Sequence, residues 1–171
     1  MIRIAVFGDT HGDTDAATRA LNALGYLDLI LHTGDHYTDA KKISRELNQE
    51  ILAVAGNCDP YSFGPKEKTV TIGGKKIFLT HGHQWGVKNG ILNLFYRGKE
   101  LGADLVVYGH THRTAREDVD GMILLNPGSP SYPRDKHRTM ALVTIDDSGK
   151  IDTSIFDITD GLDASDKPGF E

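Results

Sequence analysis

Cysteine is nearly absent from this chain: Cys58 stands alone, so no internal disulfide can form and no thiolate cluster is available to hold a metal. Basic residues are not in excess either. The 19 Lys and Arg against 24 Asp and Glu leave a formal net charge of -5, which argues against broad electrostatic attraction to nucleic acid or to an anionic membrane. Long apolar runs are missing, and none approaches the ~18 residues of a membrane span. The N-terminus lacks the charged lead, apolar core and small-residue cleavage site of a secretory signal, so the expected location is the cytoplasm. No internal repeat and no domain linker interrupts the chain. What remains is an ordinary globular composition, 39% hydrophobic and 25% charged over 171 residues. A single domain of that size buries roughly two thirds of the surface its unfolded form exposes.

The order of elements is legible. Residues 2–7 form a near-continuous apolar run, as expected of a buried sheet member. Asp13 or Thr14 is placed to cap a helix running through Leu24, with Ala17, Leu21 and Leu24 on one stripe and Gly25 as the stop. Residues 28–31 read as a second strand. Thr38 or Asp39 would cap a second helix with Ala40, Ile43 and Leu47 at helical spacing, and residues 51–55 read as a third strand. This β-α-β-α-β order implies parallel strands with crossover helices.

Beyond Asn57 the pattern changes. Residues 59–66 carry two prolines and two aromatics and read as loop, while 69–72 and 75–80 flank Gly73 and Gly74, a hairpin signal. A helix over 91–101, a strand over 104–108 and two hairpins turning at Asp120–Gly121 and at 147–149 follow. The expectation is an α/β chain of two mixed sheets packed face to face with helices outside. Acids at 157, 160, 163 and 166 with few apolar neighbours mark a solvated end. The domain is therefore drawn at 1–158, with an acidic C-terminal tail at 159–171.

The residues that carry chemistry come directly after apolar runs. GDTHGD at 8–13 follows the first run and sets Asp9 and His11 two apart, a spacing that turns both side chains to one side of an extended backbone. Residues 29–31 lead to Asp35 in TGD, 51–55 to Asn57 in GNCD, 77–79 to His81 in HGH, and 105–108 to His110 and His112 in GHTH. In an open α/β sheet, ligands gather outside the carboxyl ends of the strands, so five strand ends would deliver seven donors to one rim. Each motif is permissive alone, since Asp and Asn are ordinary turn residues. The histidines discriminate better: five of the eight (His11, His81, His83, His110, His112) lie in Gly-containing turns after apolar runs. A nitrogen and oxygen set suits divalent metals of intermediate hardness. Seven donors exceed what one tetrahedral site takes, so two ions sharing a donor is the natural count. His32 reads as a hydrogen-bonded support or core residue; His83 reads as a donor, a substrate contact or a support for His81.

GDTHGD, TGD, GNCD, HGH and GHTH in this order resemble the calcineurin-like metallophosphoesterases, and NPGSPSYPR at 126–134 resembles their small bacterial and archaeal phosphodiesterase branch. The resemblance covers residues 1–158. It implies a four-layer α-β-β-α sandwich with a dinuclear centre in which Asp9, His11 and His112 hold one metal, Asn57, His81 and His110 the other, and Asp35 bridges them. Many members carry a histidine directly after the asparagine as proton donor to the leaving group, where this chain has Cys58. An unperturbed thiol has a pKa near ~8.5 and donates weakly. Asp59, His83 or metal-bound water then stand as alternative donors, or the leaving group needs no proton; Cys58 also reads simply as a small buried residue. Asn126 to Gly128 make a tight turn, and beyond that structural role Ser129 and Arg134 are candidate phosphate contacts.

The expected activity is hydrolysis of a small phosphate ester, a phosphodiester first. Two metals ~4 Å apart hold a bridging hydroxide, lower the pKa of the water towards ~7 and stabilise an in-line displacement. Manganese is the first expectation for this mixed ligation, with Fe, Ni, Co or Zn also fitting. Nucleic acid and membrane are not expected partners. Trp85, Phe95 and Tyr96 read as core or as a surface joining copies in a homo-oligomer. Two alternatives stay open: a phosphomonoesterase on small substrates, and a non-catalytic binding scaffold such as the retromer subunit that the same family includes.

Overall fold

A computed structural model of the chain describes residues 1–162. Strand β1 (Ile2–Phe7) is followed by helix α1 (Asp15–Leu24), β2 (Leu29–His32), α2 (Tyr37–Leu47) and β3 (Leu52–Ala53). The hairpin β4 (Glu67–Ile72) and β5 (Lys75–Thr80) leads through two 3-10 turns (His83–Trp85 and Val87–Asn89) to α3 (Leu92–Leu101) and β6 (Leu105–Val107). Two hairpins close the chain: β7 (Thr114–Val119) with β8 (Met122–Pro127), then β9 (Thr139–Ile145) with β10 (Ile151–Asp157). They form two mixed five-stranded sheets, ordered β10-β9-β1-β2-β3 and β4-β5-β6-β8-β7. In the first, β1 runs parallel to β2 and β2 to β3; in the second, β5, β6 and β8 are parallel.

Strand alternation explains why the apolar runs are nearly unbroken. Ile4 and Val6 face one way, with Ile77, Leu79, Leu105, Val107, Ile123 and Leu125 of the other sheet, in a core between the sheets. Ala5 and Phe7 face the opposite way, onto Ala17, Leu21 and Leu24 of α1 and Ile43 of α2. On the far side, Phe78, Val106 and Leu124 meet Leu94 and Phe95 of α3. Both faces of each central strand are thus buried, which gives the layer order helix, sheet, sheet, helix. Each fully buried Ile, Leu or Phe contributes about 1.5–3 kcal/mol, and three such clusters seat the strand ends firmly beneath the rim they support.

Local signals set most of the elements, and where they do not, a long-range partner decides. Helix α1 starts where Thr14 was expected to cap it, but the Thr14 hydroxyl accepts from Lys42 Nζ at 2.9 Å rather than closing the helix end, and Asp15 faces the N-terminal dipole instead. Helix α2 begins earlier than Thr38 or Asp39 would place it. His36 occupies the cap position in left-handed backbone, and Asp59, 22 residues away, accepts the Tyr37 N–H at 2.7 Å. Strand β3 is shorter than residues 51–55 because Ala55 turns out of the ladder and donates its N–H to the Pro65 carbonyl at 2.7 Å. Strand β2 runs one residue further, so that His32 pairs with Phe7 and Ala53. Of the three aromatics expected in core or at an oligomer surface, Phe95 is buried, Trp85 packs partly against the α3 cluster, and Tyr96 is exposed.

Residues 157–162 pack onto the domain. Asp157 closes β10 with its carboxylate 2.7 Å from His137 Nδ1, Ile158 is buried, and Leu162 packs on the helix-side cluster of the first sheet. Asp163 and Asp166 of the expected tail lie outside the described residues.

Candidate metal centre

All seven donors expected from the sequence stand in loops at the carboxyl ends of the parallel strands. Asp9 and His11 follow β1, Asp35 follows β2, Asn57 follows β3, His81 follows β5, and His110 and His112 follow β6. The extended backbone expected to converge Asp9 and His11 is not what does so. Asp9, His11, Asp35, His110 and His112 all have positive φ, between 46° and 71°, and they are five of the eight non-glycine residues that do among the described residues. L-residues reach this region at a cost of order 1 kcal/mol each, and such outliers gather where the surrounding structure overrides local preference. The loops are tightly laced to one another. Asp9 N–H donates to the Gly34 carbonyl at 2.9 Å, Gly109 N–H to His81 O at 3.1 Å, and His110 N–H to Asp9 Oδ2 at 3.0 Å. A Cβ on Gly109 would stand 2.7 Å from Asp9 Oδ2, and one on Gly56 would overlap Asp35 Oδ1, so both approaches require glycine.

Asp9, His11, Asp35 and His112 each offer one donor atom, and these atoms lie within 4.8 Å of one another. His112 Nε2 is 3.4 Å from Asp9 Oδ1 and 3.2 Å from His11 Nε2, and His11 Nε2 is 3.4 Å from Asp35 Oδ2. On the other side of Asp35, His81 Nε2 stands 3.4 Å from the same Oδ2 and 3.0 Å from Asn57 Oδ1. The His110 ring is 5.0 Å from that of His81. Asp35 Oδ2 therefore sits between two groups of donors, while its Oδ1 accepts the Cys58 N–H at 2.9 Å.

The chemistry of this pocket fits a cation. His81 Nδ1 donates to the Thr33 carbonyl at 2.9 Å and His112 Nδ1 to the Tyr132 carbonyl at 2.7 Å. Each ring is thereby fixed with Nε2 facing carboxylate oxygens, the arrangement in which a backbone carbonyl orients a metal-binding imidazole. Asp9 Oδ1 is buried and has no hydrogen-bond partner, an acceptor that a cation would satisfy. Burial alone would lower His81, but Asp35, Asp9 and the Thr33 carbonyl outweigh it and hold its pKa above the usual histidine value. The Asp9 carboxylate, 3.4 Å away, raises His112 against the opposing effect of burial. Burial likewise opposes the ionisation of Asp35, yet contact with His81 and the Cys58 N–H keeps its carboxyl well below the usual carboxylate range. Burial lowers His11, and burial together with His81 and Lys88 drives His110 to about 4.

The remaining expected residues divide. Cys58 is exposed at the rim, so the small buried residue is ruled out; partial desolvation and Asp35 raise its thiol pKa. His83 lies beside the centre, its ring 5.3 Å from His81 and 6.1 Å from His110, with Nδ1 buried and unpartnered. Asp59 is a support: both its oxygens accept backbone N–H groups, of Tyr37 at 2.7 Å and Gly56 at 2.8 Å, which leaves it badly placed to give a proton. Ser129 is fully buried, donates to the Asp9 carbonyl at 2.9 Å and accepts from Ser131 and Tyr132 N–H. It holds the Asp9 loop from beneath. Arg134 is exposed, and its N–H donates to the His112 carbonyl at 2.9 Å. His32 is buried between Thr10 Oγ1 and the Gly34 N–H, and burial lowers it to about 4, the neutral support expected of it.

Two residues were not anticipated. Asp39 is buried and accepts the Gly12 N–H at 2.8 Å, tying α2 to the first donor loop. His36 brings its ring 5.2 Å from that of His11. A carboxylate in the first turn of α2, and a histidine directly after Asp35, were the available signals.

Two five-stranded sheets between helices, with Asp, His and Asn donors gathered at one rim, are the architecture of a metallophosphoesterase. The calcineurin-like phosphoesterase superfamily domain matches residues 2–148, and the chain belongs to that family. It is 33% identical over 147 residues to the probable metallophosphoesterase YsnB of Bacillus subtilis, covering 85% of each chain. It is 30% identical over 158 residues to the phosphodiesterase YfcE of Escherichia coli K12, covering 78% of this chain and 82% of that protein. A predicted phosphoesterase of Streptococcus pneumoniae has a solved structure that superposes with a TM-score of 0.79 at 30% identity, covering 92% of this chain and 90% of that one. No helix among the described residues is long and apolar enough to cross a membrane.

Proposed function

We propose that the chain is a dinuclear metal-dependent phosphodiesterase. The observation that carries this reading is the position of Asp35 Oδ2, 3.4 Å from His11 Nε2 on one side and 3.4 Å from His81 Nε2 on the other. Asp9, His11 and His112 would hold one divalent ion, Asn57, His81 and His110 a second, and Asp35 would bridge them. Manganese is the metal of first choice, with Fe, Ni, Co and Zn compatible with the same donors. Bound ions supply Lewis acidity that activates water at neutral pH and neutralises charge on the attacking and leaving oxygens.

The protein's own residues do the rest. The Thr33 and Tyr132 carbonyls fix the tautomers of His81 and His112. The Cys58 N–H holds Asp35 in place through Oδ1, which leaves Oδ2 free to face both groups. Water oxygen attacks phosphorus and loses a proton to solvent, and the bond to the leaving oxygen breaks with its electron pair going to that oxygen. With Asp59 tied to backbone and Cys58 a weak acid of raised pKa, neither of the two residues that follow Asn57 is a good proton donor. The chemistry therefore favours leaving groups that depart as anions, such as aryl alcohols, over alkyl alcohols. His83, half-buried beside His110, is the remaining candidate for a proton donor.

The test is hydrolysis of an activated aryl phosphodiester and its monoester by protein loaded with each metal in turn, beside Asp35→Asn. Faster turnover of the diester, abolished in the variant, is expected. Faster turnover of the monoester would make the protein a phosphomonoesterase. Metal binding with no turnover across a broad ester panel would leave a binding scaffold.

A further inference from the structure

Beside the donor rim lies a cleft of about 730 Å³ that the chemistry above does not use. One wall is continuous with the rim: Thr111 and Arg113 flank His112 in the chain, and Arg134 is bonded to the His112 carbonyl through its main-chain N–H. Lys88 reaches the cleft from the 3-10 turn Val87–Asn89, on the side of His110. Three cations from three separate segments thus face one space. All three are exposed, and among the described residues none of their side chains has an ion-pair or hydrogen-bonding partner. Several cations elsewhere on this acidic chain are answered: Arg97 by Glu67 and Glu100, Arg138 by Asp13, Lys75 by Asp104. Glu117 is the one carboxylate among the described lining residues. Gathering like charges in a concavity raises the local potential and costs stability unless an anion joins them.

We propose that this cleft is a second anion subsite and that the physiological substrate is a small phosphodiester carrying a second, terminal phosphate. One phosphate meets the donor rim while the other is held by Lys88, Arg113 and Arg134. The volume lies in the ordinary range for small-molecule sites. Three cations in one concavity do not form the extended basic track that a nucleic-acid backbone needs. Val87 and Ile91 also line the cleft and offer an apolar surface to the organic spacer between the two phosphates. The proposal rests on the phosphoesterase reading for what happens to the first phosphate, while binding of the second can be measured without turnover.

The experiment is calorimetric titration of the protein as purified with adenosine 3′,5′-bisphosphate and with adenosine 5′-monophosphate. It is repeated on Lys88→Ala/Arg113→Ala, with a thermal melt to show that the variant is folded. The bisphosphate is expected to bind at least about ten-fold tighter than the monophosphate, as charge-assisted hydrogen bonds allow. The double variant should bring that ratio close to one. Taking the ratio within each protein cancels any general loss in the variant. Equal affinity for both ligands in the unmodified protein overturns the proposal, as does a ratio that survives the double substitution. Tighter binding of a single-stranded oligonucleotide than of the bisphosphate, with a steep salt dependence, overturns it in favour of a nucleic-acid surface. If the ratio holds and is lost as expected while no phosphate ester is ever hydrolysed, the subsite stands and the catalytic reading falls.

Discussion

The two flanks of the donor rim are built differently. On one, Asp9, His11 and His112 meet Asp35 within 4.8 Å; Asp9 is wholly buried and two carboxylates contribute. On the other, His81 is as deeply buried as Asp9, but its companions are the exposed amide of Asn57 and the half-buried ring of His110, and Asp35 at 3.4 Å is the nearer carboxylate, with Asp9 Oδ1 at 3.9 Å. Charge and closure therefore favour the first flank, and the second is left to be completed by a loop that reaches solvent. A cation should bind the first flank more tightly and the second more reversibly, with Asp35 the one side chain whose loss affects both.

That asymmetry can be broken most severely at its shared point. Asp35→Asn should lower phosphodiester turnover by about 10³-fold, since ion-assisted charge stabilisation is worth several kcal/mol, and metal analysis should show both ions weakened. Next, Asn57→Ala and Asp9→Asn should differ. The first should leave one ion per chain with turnover down about 100-fold, a loss set by the second flank alone. The second should raise the dissociation constant of the tighter ion, read by calorimetry. Equal effects on both ions would remove the distinction between the flanks.

Acid sharpens the comparison at an intermediate size, because each flank holds one histidine of raised pKa, His112 and His81. Below those raised values protons occupy the donors, so metal affinity should be gained as pH rises through them, on both flanks. Fold stability follows a different histidine. His32 has a folded pKa of about 4 against 6.5 unfolded, so the unfolded chain binds the extra proton. The share of stability due to His32 should fall as pH drops from 6.5 to 4, by about 3 kcal/mol, with His110 adding in the same direction; His32→Gln should flatten that slope in denaturant melts. The smallest effect is expected at the rim of the second flank. Cys58→Ser should change turnover of an aryl diester by less than about three-fold, as the leaving group there needs little help with a proton.

Much of this site could be read before any coordinates. The rule that ligands collect at carboxyl ends of parallel strands works because Ile4, Val6, Leu31, Ile77 and Leu105 announce those strands by burial on both faces, and the polar residue after each run has nowhere to go but the rim. What could not be read depends on contacts across the chain. No local signal says that Asp59 accepts the first N–H of α2, or that Ser129 grips the carbonyl of Asp9 120 residues away. For the same reason Asp59 read as a proton donor and Ser129 as a phosphate contact when considered only beside their sequence neighbours. The cations of the cleft, Lys88, Arg113 and Arg134, are scattered over 47 residues and acquire a meaning only when the fold places them together.

The left-handed turns under five of the seven donors mean that the motif is not portable. A synthetic hexapeptide of sequence GDTHGD would relax to ordinary φ values in water and lose any grip on a divalent ion, however faithfully its letters were kept. The binding competence of residues 8–13 is lent to them by the sheets behind and the loops alongside. Grafting this centre into another scaffold would mean carrying over several strand ends and the glycines between them as one piece.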